Sequence, residues 1–156
     1  LTSPSWSPAT PNDLRSGAVN TTLGCKCNCW VKRVSELTGH VLIIEDEPII
    51  AIELEMLLGE LGYRSFAVAD SPDGALSSAR AHRPDLITAD YRIVAGTGLE
   101  AVQRIKDALG PIPVVYVTGN PDVLSGEPRS TIVDKPISPS ALRRACAFAT
   151  GTPLLS

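Results

Sequence analysis

The sequence predicts an α/β domain over residues 40–150, a parallel sheet covered by helices on both faces. Two observations predict it. From Val41 onward, short apolar runs alternate five times with stretches of helical period, which is the layout of successive βα units. Four of the five runs also end in residues for which a buried strand has no use: Glu45 and Asp46, Asp90, Thr118, and Lys135. In open α/β sheets the ligand site lies beyond the carboxyl ends of the strands, so these residues are the candidate functional set.

The first strand is VLII, 41–44. Pro48 then opens a helix, where its missing N–H costs nothing. Ile50, Leu54, Leu57, Leu58 and Leu61 form one face of that helix and Gly62 stops it. RSFAVA, 64–69, is the second strand. SPDGALSSARA, 71–81, is the second helix, with a Ser cap, Pro at the first helical position and Asp73 in the first turn. DLITA, 85–89, is the third strand and delivers Asp90. Gly96 and Gly98 make a loop, and Leu99, Val102, Ile105 and Leu109 mark the third helix. IPVVYV, 112–117, delivers Thr118. The stretch between Thr118 and Lys135 is broken by Pro121, Gly126 and Pro128, so any helix there spans only a turn or two. TIV, 131–133, is the fifth strand. SPSALRRACAFA, 138–149, is the last helix, with Leu142, Ala145, Cys146 and Ala149 facing inward.

The run VLIIEDEP poses a chemical question, because Glu45, Asp46 and Glu47 place three carboxylates at the end of one buried strand. Like charges this close repel, and each must stay hydrated or be paired, so a cation is expected. Strands one and three, as neighbours, would bring Asp46 and Asp90 together on one hard divalent cation, with Glu45 completing the acidic pocket.

Composition narrows the classes of function. The net charge is −3, whereas binders of a phosphate backbone are normally basic, so no direct nucleic-acid partner is expected. No apolar run approaches the ~20 residues that span a bilayer, and the expected location is the cytoplasm with no membrane partner. Residues 1–39 are rich in Ser, Thr, Pro, Gly and Asn without apolar period and are expected to be disordered. Within them Cys25, Cys27 and Cys29 lack the spacing and second pair of a zinc site and are read as incidental thiols. The chain begins on Leu1, so it is expected to be a fragment, or a natural start at Val31 or Val34 preceded by a tag or an overcalled gene start. Residues 151–156 are read as a short tail. His40 and His82 are read as isolated surface residues, and Cys146 as a small core residue.

The pieces VLIIEDEP, PDLITADYR, GTGLEAV, VVYVTG and VDKPI, in this order and spacing, resemble the receiver domain of two-component response regulators. The resemblance implies a flavodoxin-like (βα)5 three-layer sandwich with parallel sheet order 2-1-3-4-5. It implies that Asp90 is the phosphoacceptor, that Mg²⁺ is held by Asp46, Asp90 and the backbone carbonyl of Arg92 with Glu45 helping through water, and that Lys135 and Thr118 contact the phosphoryl group. It further implies a cis Lys135–Pro136 bond, and a phosphohistidine donor, either a histidine kinase or a histidine phosphotransfer protein. Such a domain is not a conventional enzyme. It catalyses its own aspartyl phosphorylation and slow dephosphorylation. Because the chain ends soon after Thr150, output is expected through contact with a downstream protein, unless the domain was cut from something larger.

The sequence departs from that pattern in places. Many receivers carry an aromatic residue three positions before the lysine, where this chain has Ile132. Either Tyr116 serves as the switch or the loop itself carries the signal, and the chain is similar to an atypical group of stand-alone receivers with Thr-Gly after strand four. That loop is expected to be mobile without phosphate and to order on phosphorylation. Val94 replaces a common proline and is expected to loosen its loop. Arg92 and Asn120 occupy positions that tune the lifetime of the phosphate in this family. A second apolar stripe on the first helix, Ile49, Ile52 and Met56, is read as core, with a docking face for a kinase or phosphotransfer helix as the alternative. Two rival functions remain: a haloacid-dehalogenase-type phosphatase, which needs an acidic residue where Arg92 stands, and a receiver-like module that is never phosphorylated and only binds proteins.

Overall fold

The computed structural model describes residues 39–153. The expectations placed on 1–38, including the disorder, the Cys25, Cys27 and Cys29 reading and the start at Val31 or Val34, lie outside the described residues. Elements follow in the order β1 (His40–Ile44), α1 (Pro48–Glu60), β2 (Ser65–Ala69), α2 (Pro72–Ala81), β3 (Leu86–Ala89), β4 (Arg92–Ile93), β5 (Gly96–Thr97), α3 (Gly98–Leu109) and β6 (Val114–Thr118). Two 3₁₀ turns (Pro121–Leu124 and Arg129–Thr131), β7 (Ile132–Asp134) and α4 (Pro139–Thr150) complete the chain. No described helix is long and apolar enough to cross a membrane.

The main sheet runs β2-β1-β3-β6-β7, with every pair parallel. Counting only its own strands, this is the flavodoxin-like order 2-1-3-4-5. The central strands β1, β3 and β6 are buried along their whole length, which is why they read as continuous apolar runs rather than alternating ones. The sheet separates two cores. On one face Leu42, Ile44, Ile87 and Tyr116 meet Ala75 and Ala79 of α2 and Ala101, Val102 and Ile105 of α3. On the other, Val41, Ile43, Val115 and Val117 meet Ala51, Leu54 and Leu58 of α1 and Leu142, Ala145 and Cys146 of α4.

The helix starts carry the chemistry that the sequence indicates. The Ser71 side chain accepts a hydrogen bond from the Gly74 N–H, and the Thr97 side chain accepts one from the Glu100 N–H. The Lys135–Pro136 bond is cis.

Three expectations need correction. The segment read as a loop before α3 forms an antiparallel hairpin, Arg92 pairing with Thr97 and Ile93 with Gly96; buried Ile93 anchors it while Val94 stays exposed. Ile49, Ile52 and Met56 are 80%, 58% and 67% exposed, so this stripe is not core: α1 is covered by the sheet on one side only. Nor are the histidines isolated. His40 is buried and its ring stacks on that of His82, centroids 3.9 Å apart. The His40 N–H donates to Asp85 Oδ2 at 2.7 Å, and its Nδ1 lies 2.8 Å from Ser65 Oγ.

Candidate functional site

Main-chain hydrogen bonds continue the sheet one residue beyond its strands and thereby fix the site. The Glu45 N–H donates to the Ala69 carbonyl (2.9 Å), the Asp90 N–H to the Ile44 carbonyl (2.9 Å), and the Lys135 N–H to the Thr118 carbonyl (3.0 Å). Parallel strands in register thus present Glu45, Asp90, Thr118 and Lys135 at a single rim.

The side chains meet there. Lys135 Nζ lies 2.8 Å from Asp90 Oδ2 and 3.0 Å from Glu45 Oε2. Glu45, Asp46 and Asp90 each offer one carboxylate oxygen, and these oxygens lie within 4.8 Å of one another. Asp90 is buried, Glu45 more so, and Asp46 sits half-buried at the opening. Burial raises the pKa of Glu45 above its ordinary value, opposed by its hydrogen bond to Lys135. For Lys135, burial alone pulls the pKa down, but hydrogen bonds to Asp90 and Glu45 and the charges of both carboxylates leave it raised. The ammonium is therefore held protonated among three acidic groups.

The structure brings Glu45, Asp46, Asp90 and Lys135 into one cluster. Thr118 is buried at the end of β6, and its Oγ1 accepts a hydrogen bond from the Asn120 N–H at 3.2 Å. Arg92 is exposed in β4, two residues beyond Asp90.

Two contributors escaped the sequence reading. Glu47, the third carboxylate of the acidic run, reaches Lys135 at 3.7 Å, and it also donates its N–H to Glu45 Oε1. Gly98, read as a loop residue, packs against the backbone of Asp90: a Cβ there would fall 1.8 Å from the Asp90 carbonyl oxygen. Only glycine admits so close an approach, and the GTG spacing after Asp90 was its one signal. Behind the site, Tyr116 on β6 is fully buried, and among the described residues its hydroxyl has no hydrogen-bond partner.

Residues 41–147 match the family described as response regulator receiver domain. The phyllosphere-induced regulator PhyR of Methylorubrum extorquens is 35% identical over 111 residues, which cover 68% of this chain and 41% of that protein. The chain therefore spans less than half the length of that relative. The solution structure of the PhyR receiver domain from Erythrobacter litoralis superposes with a TM-score of 0.66 at 28% identity, covering 76% of this chain and 97% of that one. The receiver domain of a sensor histidine kinase from Pseudomonas aeruginosa PAO1, described with a magnesium ion coordinated in its active site cleft, gives a TM-score of 0.62 at 25% identity. That match covers 72% of this chain and 98% of the other.

Proposed function

This chain belongs to the response regulator receiver domain family, and from that premise we propose that it is a phosphoacceptor switch. In this reading Asp90 takes a phosphoryl group from the phosphohistidine of a histidine kinase or histidine phosphotransfer protein, and the phosphorylated form signals by contact with a downstream protein. The observation that carries it is the meeting of Lys135 Nζ with Asp90 and Glu45 beside Asp46, a fixed positive charge set against an acidic pocket.

The donor set suits a hard divalent cation, since all three convergent side chains are carboxylates and oxygen-only sites favour Mg²⁺ or Ca²⁺ over softer metals. Asp46, Asp90 and the Arg92 carbonyl would hold Mg²⁺ directly, and Glu45 through water. When bound, the ion offsets the repulsion between a carboxylate nucleophile and an anionic phosphoryl group.

The protein's own groups supply positioning and charge, which is most of what phosphoryl transfer requires. An Asp90 carboxylate oxygen forms the new O–P bond as the donor's P–N bond breaks, its electron pair leaving with the imidazole, which is protonated from solvent. Lys135 exchanges its contact with Asp90 for one with a phosphoryl oxygen. The Thr118 hydroxyl, an accepting partner of the Asn120 N–H in the present structure, donates to another phosphoryl oxygen. Water later cleaves the acyl phosphate, releasing inorganic phosphate and restoring the Asp90 carboxylate.

Intact mass after incubation with acetyl phosphate and Mg²⁺ tests this reading. The wild type should gain one phosphoryl adduct that requires Mg²⁺, and Asp90→Ala should gain none. A folded wild type that shows neither an adduct nor consumption of acetyl phosphate would overturn it.

A further inference from the structure

The two edges of the main sheet differ in how the sequence guards them. The β7 edge is three residues long and ends on Asp134, ahead of Lys135 and Pro136; short length, charge and proline are what keep an edge from pairing. The β2 edge, Ser65–Ala69, reads SFAVA, without charge or proline, and its one-to-one register with β1 leaves no bulge. The Ala69 carbonyl accepts from the Glu45 N–H and so faces β1. Main-chain groups alternate sides along a strand, so those of Phe66 and Val68 face outward, and among the described residues they meet no main-chain partner there. Val68 is 46% exposed. An open groove of about 480 Å³ runs beside it, between Ile52 and Glu55 of α1 and Gly74 and Ser78 of α2, so neither helix covers the carboxyl half of this edge.

We propose that β2 pairs with β2 of a second copy of this chain, antiparallel, about a two-fold axis through Ala67. The sequence is self-complementary in that register. Phe66 faces Val68 of the other copy, and since both present their main-chain groups outward, each such pair exchanges two N–H to carbonyl bonds. Their side chains fall on one face of the joined sheet as aromatic and β-branched neighbours, a favourable cross-strand pair. One step further out, Arg64 of each copy faces Asp70 of the other. Both residues are exposed, and among the described residues neither forms an ion pair within its own chain; Arg64 donates only to the Gly59 carbonyl, at 3.4 Å. The charged residues lining the groove, Glu45, Asp46, Glu55 and Asp70, are all acidic, so the arriving Arg64 meets carboxylates alone, which its planar guanidinium pairs well. A parallel pair would instead set Asp70 against Asp70 and Arg64 against Arg64. The two-fold contact closes on itself and uses up both β2 edges, so assembly stops at two.

The test is sedimentation equilibrium of the full, unphosphorylated chain, joined to amide exchange followed by NMR as chain concentration rises. The expected result is a monomer–dimer equilibrium in which the Phe66 and Val68 amides exchange more slowly at high concentration, while that of Ala67, on the side of β1, is unchanged. Val68→Lys should abolish the dimer with unchanged thermal stability, because the residue is exposed and a lysine on an edge blocks pairing. R64E should weaken the dimer about tenfold, since it puts like charges face to face and the axis counts every change twice. The exchanged pair R64E/D70R should restore it, which no loss of fold could mimic. A dimer indifferent to Val68→Lys, or an exchanged pair as weak as R64E alone, would overturn the proposal. So would slow exchange of Phe66 and Val68 at every concentration, which would mean that the edge is covered within one copy. A chain that stays monomeric at millimolar concentration would overturn it as well, and would leave the edge to an extended segment of another protein.

Discussion

Lys135 is the residue on which the site turns, because one ammonium satisfies Asp90 and Glu45 at once. Its partners could be read from the sequence, since carboxylates at the ends of β1 and β3 and a lysine at the end of β7 must share a rim once the strand order is fixed. The role of Gly98 was signalled only by the GTG spacing after Asp90, because it depends on a close approach to the Asp90 backbone that no pattern of apolar and charged side chains encodes. Gly98→Ala should destabilise the fold by about 1–3 kcal/mol in urea unfolding, the usual cost of forcing extra atoms into a packed site. It should also slow Mg²⁺-dependent phosphorylation, because the atom displaced is the carbonyl of Asp90 itself. His40 makes a separate prediction. Its pKa is held below the ordinary 6.5 by burial first and then by His82, against an opposing pull from Asp85 and the Ser65 hydrogen bond. The unfolded chain therefore binds the proton more readily, so stability should drop as pH falls below about 6.5 and level off once below the folded-state value. In thermal unfolding scans from pH 8 to 5, His40→Gln should flatten that slope. The pairing with His82 was invisible in the sequence, since two histidines far apart in the chain meet only when β1 and the end of α2 are brought together.

Among the elements, α1 shows where sequence reading reaches its limit. Apolar residues lie on nearly every side of this helix, so two stripes compete for the core and periodicity alone cannot rank them. The structure buries Ala51, Leu54 and Leu58 and exposes Ile49, Ile52 and Met56. Leu54→Ala should therefore cost about 2–5 kcal/mol, as truncation in a packed core does. Ile52→Glu should change stability by less than about 0.5 kcal/mol, as exposed substitutions do. If the outer stripe is where a phosphodonor helix docks, Ile52→Glu should still slow transfer from a phosphorylated partner while leaving acetyl phosphate labelling unchanged. An α1 fully exposed on that side but indifferent to Ile52→Glu in both assays would remove the docking role.

For the molecule as a whole, the five βα units were legible because each strand announces itself by an apolar run and the helices by their apolar period and start signals, whereas the sheet order 2-1-3-4-5 came from the family resemblance. The segment between Thr118 and β7, broken by Pro121, Gly126 and Pro128, was expected to hold only a turn or two of helix, and the structure builds it from two 3₁₀ turns with Leu124 as its buried anchor. A stretch with so little regular hydrogen bonding opens easily. Amide exchange across 119–130 should therefore slow on phosphorylation of Asp90, and equal exchange in the two states would count against a loop that orders. The bond from the Lys135 N–H to the Thr118 carbonyl has a mechanical meaning beyond its part in the sheet. It is a stiff main-chain link from the end of β6 to the end of β7, and α4 begins four residues after Lys135 at Pro139. The position of the Lys135 backbone, and with it the turn into α4, is thus tied to the position of the Thr118 backbone with no side chain in the path.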